Sequence, residues 1–162
     1  MPFTDVLEAN DRYAERFDEH DLSGQAAKGL AVLTCIDTRI DPLGMLGLRP
    51  GDAKILRNAG ARVTDDVLRT LVLASYLLNV SRVMVIAHTD CRMVGGTDED
   101  VHAAIEANGG PDTRSLVFQV TTDVEETLGR DVRRIRSWPY LTDLEVGGFL
   151  YDVHTGRLSQ LC

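Results

Sequence analysis

The chain has 162 residues, 44% of them hydrophobic, which fits one globular domain, residues 1–162, with a core of its own. Its formal net charge of -8 disfavours a surface that tracks nucleic-acid phosphates. No apolar run reaches the length of a membrane span and no secretion signal opens the chain, so we expect a cytoplasmic protein without a membrane partner. Its three cysteines, an odd number, argue against a disulfide scaffold and suit a reducing compartment.

The N-terminal part of the chain, residues 1–24, predicts a helical arm. Between residues 4 and 19 the apolar side chains form a narrow stripe among Glu, Asp and Arg residues. Such a helix needs a surface to lie on. We expect the arm to pack on a partner subunit.

The next part of the chain alternates strand and helix patterns. Residues 29–36 are almost continuously apolar, as in a parallel strand that is covered on both faces. A short helix is predicted over residues 42–48 and a second strand over residues 53–57. Thr64 is suited to cap a further helix, and because residues 67–78 are apolar almost all round, we expect that helix to be buried.

The second half of the chain continues the alternation. Residues 81–87 predict a third strand, and residues 97–108 and 121–136 predict two helices. Residues 145–153 and 158–161 predict a hairpin with an antiparallel edge strand. The expected fold is therefore α/β: an open, mainly parallel β-sheet with helices on both faces, together with the N-terminal arm.

Potential metal ligands stand at the ends of two predicted strands. Cys35 ends the first strand, and His88 and Cys91 follow the third. Taken alone, Cys35 is better interpreted as a small buried apolar side chain, and His88 as an ordinary loop residue. Two thiols and one imidazole at the same sheet edge together predict a Zn²⁺ site with an open or switchable fourth position.

Asp37 and Arg39 lie beside the first predicted ligand. Two residues apart in an extended segment, they project to the same side, so the arginine can hold the carboxylate away from the metal or release it. The plainer alternative is an exposed salt bridge that contributes little to stability. The remaining histidines and the last cysteine are interpreted as structural or incidental: His20, His102, His154 and Cys162.

The chain resembles the β-class carbonic anhydrases, and most of all their short bacterial members. The resemblance covers most of the length. It rests on C-x-D-x-R at residues 35–39, Arg-Asn-Ala-Gly at residues 57–60, the helix start at residues 63–66, and H-x-x-C at residues 88–91.

The resemblance implies a zinc lyase that reversibly hydrates carbon dioxide to bicarbonate and a proton by means of zinc-bound hydroxide. In that interpretation Cys35, His88 and Cys91 hold Zn²⁺, and Asp37 and Arg39 form the catalytic dyad, with Asp37 a fourth ligand only in a closed state. The resemblance also implies a homodimer or homotetramer in which the N-terminal helix wraps a neighbouring subunit. Because two thiolates weaken zinc as a Lewis acid, we expect activity to rise towards alkaline pH.

One position departs from the family pattern. The family usually has glycine after the second cysteine, and its backbone amide helps to hold the substrate; this chain has Arg92. The amide of Arg92 is still expected to contact the substrate, with Gly60 as a second substrate-binding residue. A left-handed backbone would cost an arginine more than a glycine, and the long cation can aid bicarbonate binding, fold outwards or obstruct the pocket.

Two alternative functions use the same ligands. A related hydrolase of this fold acts on carbon disulfide or carbonyl sulfide. Alternatively, Asp37 permanently closes the site, and the protein is a zinc-binding regulatory or structural domain; Arg92 lends this alternative some weight.

Overall fold

The chain forms a five-stranded sheet in a computed structural model that describes residues 2–19 and 21–162. The order across the sheet is β2-β1-β3-β4-β5; the first four strands are parallel, and β5 pairs antiparallel with β4. The strands are β1 Leu30–Cys35, β2 Ala53–Asn58, β3 Arg82–His88, β4 Glu145–Tyr151 and β5 Leu158–Gln160. The predicted mainly parallel sheet with an antiparallel edge strand is confirmed.

Two α-helices cover one face of this sheet, and a 3₁₀ turn packs on the other. The α-helices are α1 Thr4–Ala14, α2 Asp65–Leu77, α3 Asp98–Ala107 and α4 Val124–Arg136, and short 3₁₀ helices span Gly44–Leu46 and Ala59–Ala61. The apolar residues of α2 and α4 pack with one set of alternate strand residues, while Met45 and Leu46 pack with the other set. Alternation along the strands thus separates a main core from a smaller one.

The register of the sheet positions the site. Strand β1 lies between β2 and β3, with Cys35 opposite Asn58 and Thr34 opposite Ile86. The buried Thr34 hydroxyl donates to the Ile86 carbonyl at 3.1 Å. Because β1 and β3 are parallel neighbours in this register, Cys35 and His88 end their strands at the same edge of the sheet.

The helix predicted over residues 42–48 is shorter than expected. It is a single 3₁₀ turn, Gly44–Leu46, which begins where the Asp41 carboxylate accepts hydrogen bonds from the amides of Leu43 and Gly44 at 3.2 and 3.1 Å. It ends at Gly47, whose φ of 63° is left-handed. A side chain that binds the backbone locally and a left-handed glycine together stop the turn from extending.

Helix α4 begins three residues later than predicted. The Asp123 carboxylate accepts a hydrogen bond from the Glu126 amide at 2.9 Å and caps the helix. Thr121 instead pairs with Val94 in an isolated β-bridge.

The predicted start of helix α3 at Thr97 is confirmed, since this residue forms a capping box with Asp100.

The expectation that helix α2 is fully buried is wrong. Val67, Leu68, Leu71 and Ala74 face the core, but Leu73, Tyr76 and Leu77 are 44%, 66% and 67% exposed. A helix beside a sheet buries only the stripe that faces the sheet, and no other described element of this subunit covers the opposite stripe.

The N-terminal arm is helical, as predicted, over Thr4–Ala14, and none of its residues is buried. Its apolar side chains include Val6 and Leu7, each more than half exposed.

Across residues 2–19 and 21–162, no helix combines the length and apolar character that a membrane crossing requires.

Candidate metal centre

Cys35, His88 and Cys91 meet at the carboxyl edge of the sheet. One ligand atom from each residue lies within 4.8 Å of those from the other two, and all three residues are almost wholly buried. Cys35 and His88 end adjacent strands, and a two-residue turn after His88 brings Cys91 back to the same place. The three predicted ligands therefore converge, because the strands that end at Cys35 and His88 are neighbours in the sheet.

The imidazole of His88 is oriented for a metal. Its Nδ1 lies 2.8 Å from the Thr89 carbonyl, to which it donates, and this leaves Nε2 as the acceptor nitrogen. That Nε2 is buried and has no hydrogen-bond partner in the described part of the chain. A buried nitrogen without a partner, beside two thiols, fits a bound metal ion, and a ring held through its other nitrogen is typical of metal-binding histidines.

The two sulfurs shift each other's pKa in opposite directions. A hydrogen bond from Cys91, supported by His88 and the Gly60 amide, outweighs burial and lowers the pKa of Cys35 to about 3. The same hydrogen bond, together with burial, raises the pKa of Cys91. Burial alone would lower the pKa of His88, but the contacts with Cys35 and the Thr89 carbonyl raise it. These contacts favour the thiolate form of Cys35, which is the form of cysteine that binds metals.

Asp37 is clamped by Arg39. The guanidinium donates from Nε to Oδ1 at 3.0 Å and from Nη2 to Oδ2 at 2.8 Å, and the Arg39 amide donates to Oδ1 at 2.9 Å. These bonds hold the pKa of Asp37 well below its usual range. Its Oδ2 is 4.0 Å from the His88 Nε2, so the carboxylate stands beside the ligand group.

The segment that carries this pair is a turn, not the extended segment expected. The Ile40 amide donates to the Asp37 carbonyl at 3.1 Å, and this closes the turn. Side-chain alternation along a strand therefore does not explain why Asp37 and Arg39 meet. They meet because the backbone reverses between them.

Asp90 also binds Arg39, which the sequence interpretation missed. The Arg39 Nη1 donates to the Asp90 Oδ2 at 2.7 Å, and Nη2 donates to the Asp90 carbonyl at 3.0 Å. The guanidinium therefore bridges the turns that follow β1 and β3. The only feature of the sequence that pointed to this contact was the presence of an acidic residue between His88 and Cys91.

Arg57, at the end of β2, is a second residue whose role was missed. Its Nε donates to the Cys35 carbonyl at 2.8 Å and its Nη2 to the Asp37 carbonyl at 2.6 Å. It thereby fixes the backbone on both sides of Ile36. A basic residue at the end of a strand next to β1 is consistent with this contact, but the strand order has to be known first.

Gly60 contacts a ligand directly. Its amide donates to the Cys35 Sγ at 3.3 Å, and its φ of 77° is left-handed. A Cβ at this position would lie 3.2 Å from the Met93 Cβ. Both the backbone conformation and the space favour glycine. The predicted contact of Gly60 with the substrate stays a prediction.

Arg92 lies outside the ligand group, on a cleft of about 600 Å³ that Asp37, Arg39 and Asp90 also line. Among the residues that the structure describes, neither its side chain nor its amide has a hydrogen-bond partner. The left-handed backbone that was a concern at this position occurs at Asp90 instead, with φ of 54°. Arg92 is therefore accommodated without that strain.

A second, smaller cavity of about 20 Å³ adjoins the ligand group. His88 and Cys91 form part of its wall, and most of the remaining wall is apolar, including Val94, Val124 and Leu128. The ligand group thus borders both a polar cleft and a small, mostly apolar cavity.

Three of the residues interpreted as incidental lie in the described part of the chain, and none of them belongs to the ligand group. His102 is buried, and its Nδ1 is 2.9 Å from the Thr113 hydroxyl. His154 and Cys162 are exposed, and His20 lies outside the described residues. Within the part of the chain that the structure describes, no second group of three such ligands is found.

An α/β sheet with a cysteine-histidine-cysteine group at its carboxyl edge defines a class of α/β proteins with a candidate metal site. Comparison with known proteins narrows this class. A family model described as carbonic anhydrase matches residues 30–131. The chain belongs to the carbonic anhydrase family, in its β class.

Individual relatives agree with this assignment. The chain is 36% identical to beta-carbonic anhydrase 1 of Mycobacterium tuberculosis, over 97% of this chain and 96% of that protein. The crystal structure of a carbonic anhydrase from Streptococcus mutans superimposes with a TM-score of 0.92 at 34% identity, covering 100% of this chain and 98% of that one. The chain is also 31% identical to a carbon disulfide hydrolase of Acidianus sp., over 81% of this chain and 76% of that protein.

Proposed function

We propose that this protein is a zinc-dependent carbonic anhydrase that reversibly hydrates carbon dioxide to bicarbonate and a proton. The observation that carries the proposal is the convergence of Cys35, His88 and Cys91, with the partnerless His88 Nε2 facing the position that a metal ion needs. Zinc is the metal that two thiolates and an imidazole suit, in a site that leaves a fourth position open.

Cys35, His88 and Cys91 would hold the zinc ion, which would supply the nucleophile by lowering the pKa of a coordinated water molecule towards neutrality. The residues of the chain then control orientation and charge. Asp37, ionised and held on one side of the ligands, accepts a hydrogen bond and so orients the water that attacks carbon dioxide. Arg39 keeps that carboxylate in place through two side-chain bonds.

The clamp on Asp37 favours an open fourth position over the permanently closed alternative. Both carboxylate oxygens accept hydrogen bonds from Arg39, and Arg39 is itself anchored to Asp90. Asp37 is not among the ligand atoms that converge within 4.8 Å, so to become a ligand it would have to move against these charge-assisted bonds. The arrangement therefore supports a site that keeps room for water and substrate.

The surroundings of the ligands suit the two forms of the substrate. Carbon dioxide is small and uncharged, and the apolar cavity beside His88 and Cys91 offers it a compatible surface. Bicarbonate is an anion, and the wider cleft offers it the partnerless guanidinium and amide of Arg92. We assign substrate binding to this amide, with Gly60 acting mainly through the Cys35 sulfur.

The proposal includes a homodimer or homotetramer in the cytoplasm. The apolar stripe of α1, which has no buried residue, and the exposed Leu73, Tyr76 and Leu77 of α2 support association between copies of the chain. Thiol ligands that must stay reduced support a reducing compartment.

Stopped-flow measurement of carbon dioxide hydration between about pH 6.5 and 9 tests this function, with zinc measured in the same preparation. We expect one zinc per chain and turnover that rises with pH, because two thiolate ligands make the bound water less acidic. Full zinc occupancy with no turnover at any pH would contradict the proposal.

A second candidate is the hydrolysis of carbon disulfide or carbonyl sulfide. The observation that favours it is the 31% identity to a carbon disulfide hydrolase. Hydrogen sulfide release from carbon disulfide, measured on the same zinc-loaded preparation, separates the two. Rapid sulfide release with negligible carbon dioxide hydration would select the hydrolase.

A further inference from the structure

We propose that Asp131, on helix α4, is a positioning residue for the metal centre: it fixes the loop whose Gly60 amide donates to the sulfur of Cys35. The proposal rests on the proposed metal site and adds to it a residue that touches none of the ligands. Asp131 is only 4% exposed. A carboxylate is rarely this buried unless it has partners, so its contacts indicate its role.

The contacts of Asp131 all lead to one short segment. Its Oδ2 accepts from the Arg62 Nε at 2.7 Å and from the Val63 amide at 3.2 Å, and its Oδ1 accepts from the Arg62 Nη2 at 3.3 Å. The Arg62 Nη1 donates further to the Gln119 carbonyl at 2.8 Å. The ion pair therefore ties helix α4 to residues 62–63.

Residues 62–63 in turn close the loop that carries Gly60. The Arg62 amide donates to the Asn58 Oδ1 at 2.8 Å, and the Asn58 Nδ2 donates to the Arg62 carbonyl at 2.7 Å. Between these two hydrogen-bonded residues, the backbones of Gly60 and Ala61 are both left-handed, with φ of 77° and 57°. A left-handed alanine is unfavourable, so surrounding contacts have to hold the loop in this shape.

The shape of the loop matters to the metal because the Gly60 amide is 3.3 Å from the Cys35 Sγ. A hydrogen bond to a ligand sulfur stabilises its lone pairs and orients it towards the ion. When the loop relaxes, that bond weakens or is lost, and the sulfur becomes a less well oriented and more electron-rich donor. Asp131 thus acts on the metal through Arg62, Asn58 and Gly60.

The test uses the full chain loaded with Co²⁺ in place of Zn²⁺, since the sulfur-to-cobalt charge-transfer absorption reports the donor energy of the thiolates. In Asp131→Asn we expect this absorption to move to lower energy. We also expect the zinc dissociation constant, measured by chelator competition, to rise about 10-fold, the lower end of the effect of removing outer contacts around a metal site.

Two further variants separate positioning from general instability. Asp131→Leu combined with Arg62→Met replaces the ion pair with apolar side chains, a change that buried pairs often tolerate. We expect this double variant to show the same shift in charge-transfer absorption, although it leaves no unpaired charge in the core. Ile135→Ala, on the same helix and fully buried, destabilises the core but has no polar contact with the loop. Its charge-transfer absorption should match that of the unmodified chain.

Each outcome has a distinct meaning. An unmoved absorption and an unchanged zinc affinity in a folded Asp131 variant would overturn the proposal. A shift in Asp131→Asn that is absent from the double variant would also overturn it, because the unpaired Arg62 would be the cause. If the unmodified chain shows no sulfur-to-cobalt absorption, the metal site itself fails, and this inference fails with it.

Discussion

At the residue scale, Arg39 joins the two turns that flank the ligands. It binds Asp37 through two side-chain bonds and Asp90 through a third. The bonds to Asp37 lower the pKa of that carboxyl, but an aspartate is already ionised without them at the pH values at which the protein is expected to act. The position of the charge on Asp37, and not its existence, is therefore what Arg39 determines.

Arg39→Ala tests this function of the arginine. We expect zinc to remain bound at one ion per chain while turnover falls by about 10- to 100-fold, because the released carboxylate is free to bind the metal. Stopped-flow hydration and zinc analysis of the same sample measure both quantities. Arg69→Ala is the matched control, since Arg69 pairs with Asp66 on an exposed face of α2. Full activity of Arg39→Ala would show that the clamp is not needed.

Arg92 supports a prediction about charge. Its exposed guanidinium has no partner among the described residues and lines the polar cleft. In Arg92→Ala we expect the bicarbonate inhibition constant to rise about threefold, the size of an exposed charge interaction, and this difference to shrink in high salt. The Michaelis constant for carbon dioxide should change little, since that molecule is uncharged.

Arg92→Lys is the control for this experiment, because it keeps the charge but changes the geometry. Its bicarbonate inhibition constant should stay near that of the unmodified chain. Equal inhibition constants in the alanine and lysine variants would mean that the charge of Arg92 has no effect on bicarbonate.

At the element scale, helix α3 holds the segment that precedes α4. The carboxylate of Asp98, the first residue of α3, accepts hydrogen bonds from the amides of Phe118, Gln119 and Val120 at 2.8, 3.3 and 2.8 Å. The bond from Val120 contributes most to lowering the pKa of Asp98, and burial opposes it. The Asp98 carboxylate thus accepts the hydrogen bonds of three successive amides that in a helix or strand would be bonded to backbone carbonyls.

The lowered pKa sets the sign of a stability prediction. A carboxyl whose folded pKa lies below its unfolded value stabilises the fold above the unfolded pKa, near 3.9, and this contribution is lost as the pH falls through the folded pKa. In Asp98→Asn we therefore expect a lower free energy of unfolding at pH 7. The difference from the unmodified chain should narrow below about pH 3.9.

Urea unfolding at a series of pH values measures this difference, and amide exchange at residues 118–120 localises it. Glu99→Gln removes a charge from the same first turn of α3 without touching those amides, so it should leave their exchange unchanged. A stability difference for Asp98→Asn that stays constant down to pH 2 would show that ionisation of Asp98 does not contribute.

At the scale of the whole molecule, two apolar surfaces face outwards. Helix α1 has no buried residue, and its Val6 and Leu7 are 55% and 58% exposed. The outer stripe of α2 adds Leu73, Tyr76 and Leu77. Exposed apolar area of this extent is typical of a surface that a partner covers, and an isolated helix of 11 residues is only marginally stable in water.

A double variant, Val6→Asp with Leu7→Asp, tests whether this surface holds copies of the chain together. We expect the unmodified chain to sediment as a dimer or tetramer and the variant to sediment as a smaller species, because burying two unpaired carboxylates at an interface is unfavourable. Glu8→Gln, on the same helix, should leave the mass unchanged. An unmodified chain that is monomeric at all concentrations would contradict the prediction.

The sequence by itself determined the elements and the chemistry. Continuous apolar runs produced β1 and β3 because buried parallel strands contact apolar groups on both faces. Thr64 and Thr97 cap helices where predicted, since capping is a local interaction. Cys35, His88 and Cys91 could be predicted as a ligand group because ligand chemistry belongs to the residue type, and the structure brings the three together.

Only the tertiary structure decided how these parts meet. The pairing of Arg39 with Asp90 spans 51 residues, and that of Arg62 with Asp131 spans 69; no local pattern encodes either. The same holds for the Gly60 amide on the Cys35 sulfur and for the outer stripe of α2 that stays exposed. Local propensity acts over a few residues, whereas the order and register of the strands determine which distant side chains become neighbours.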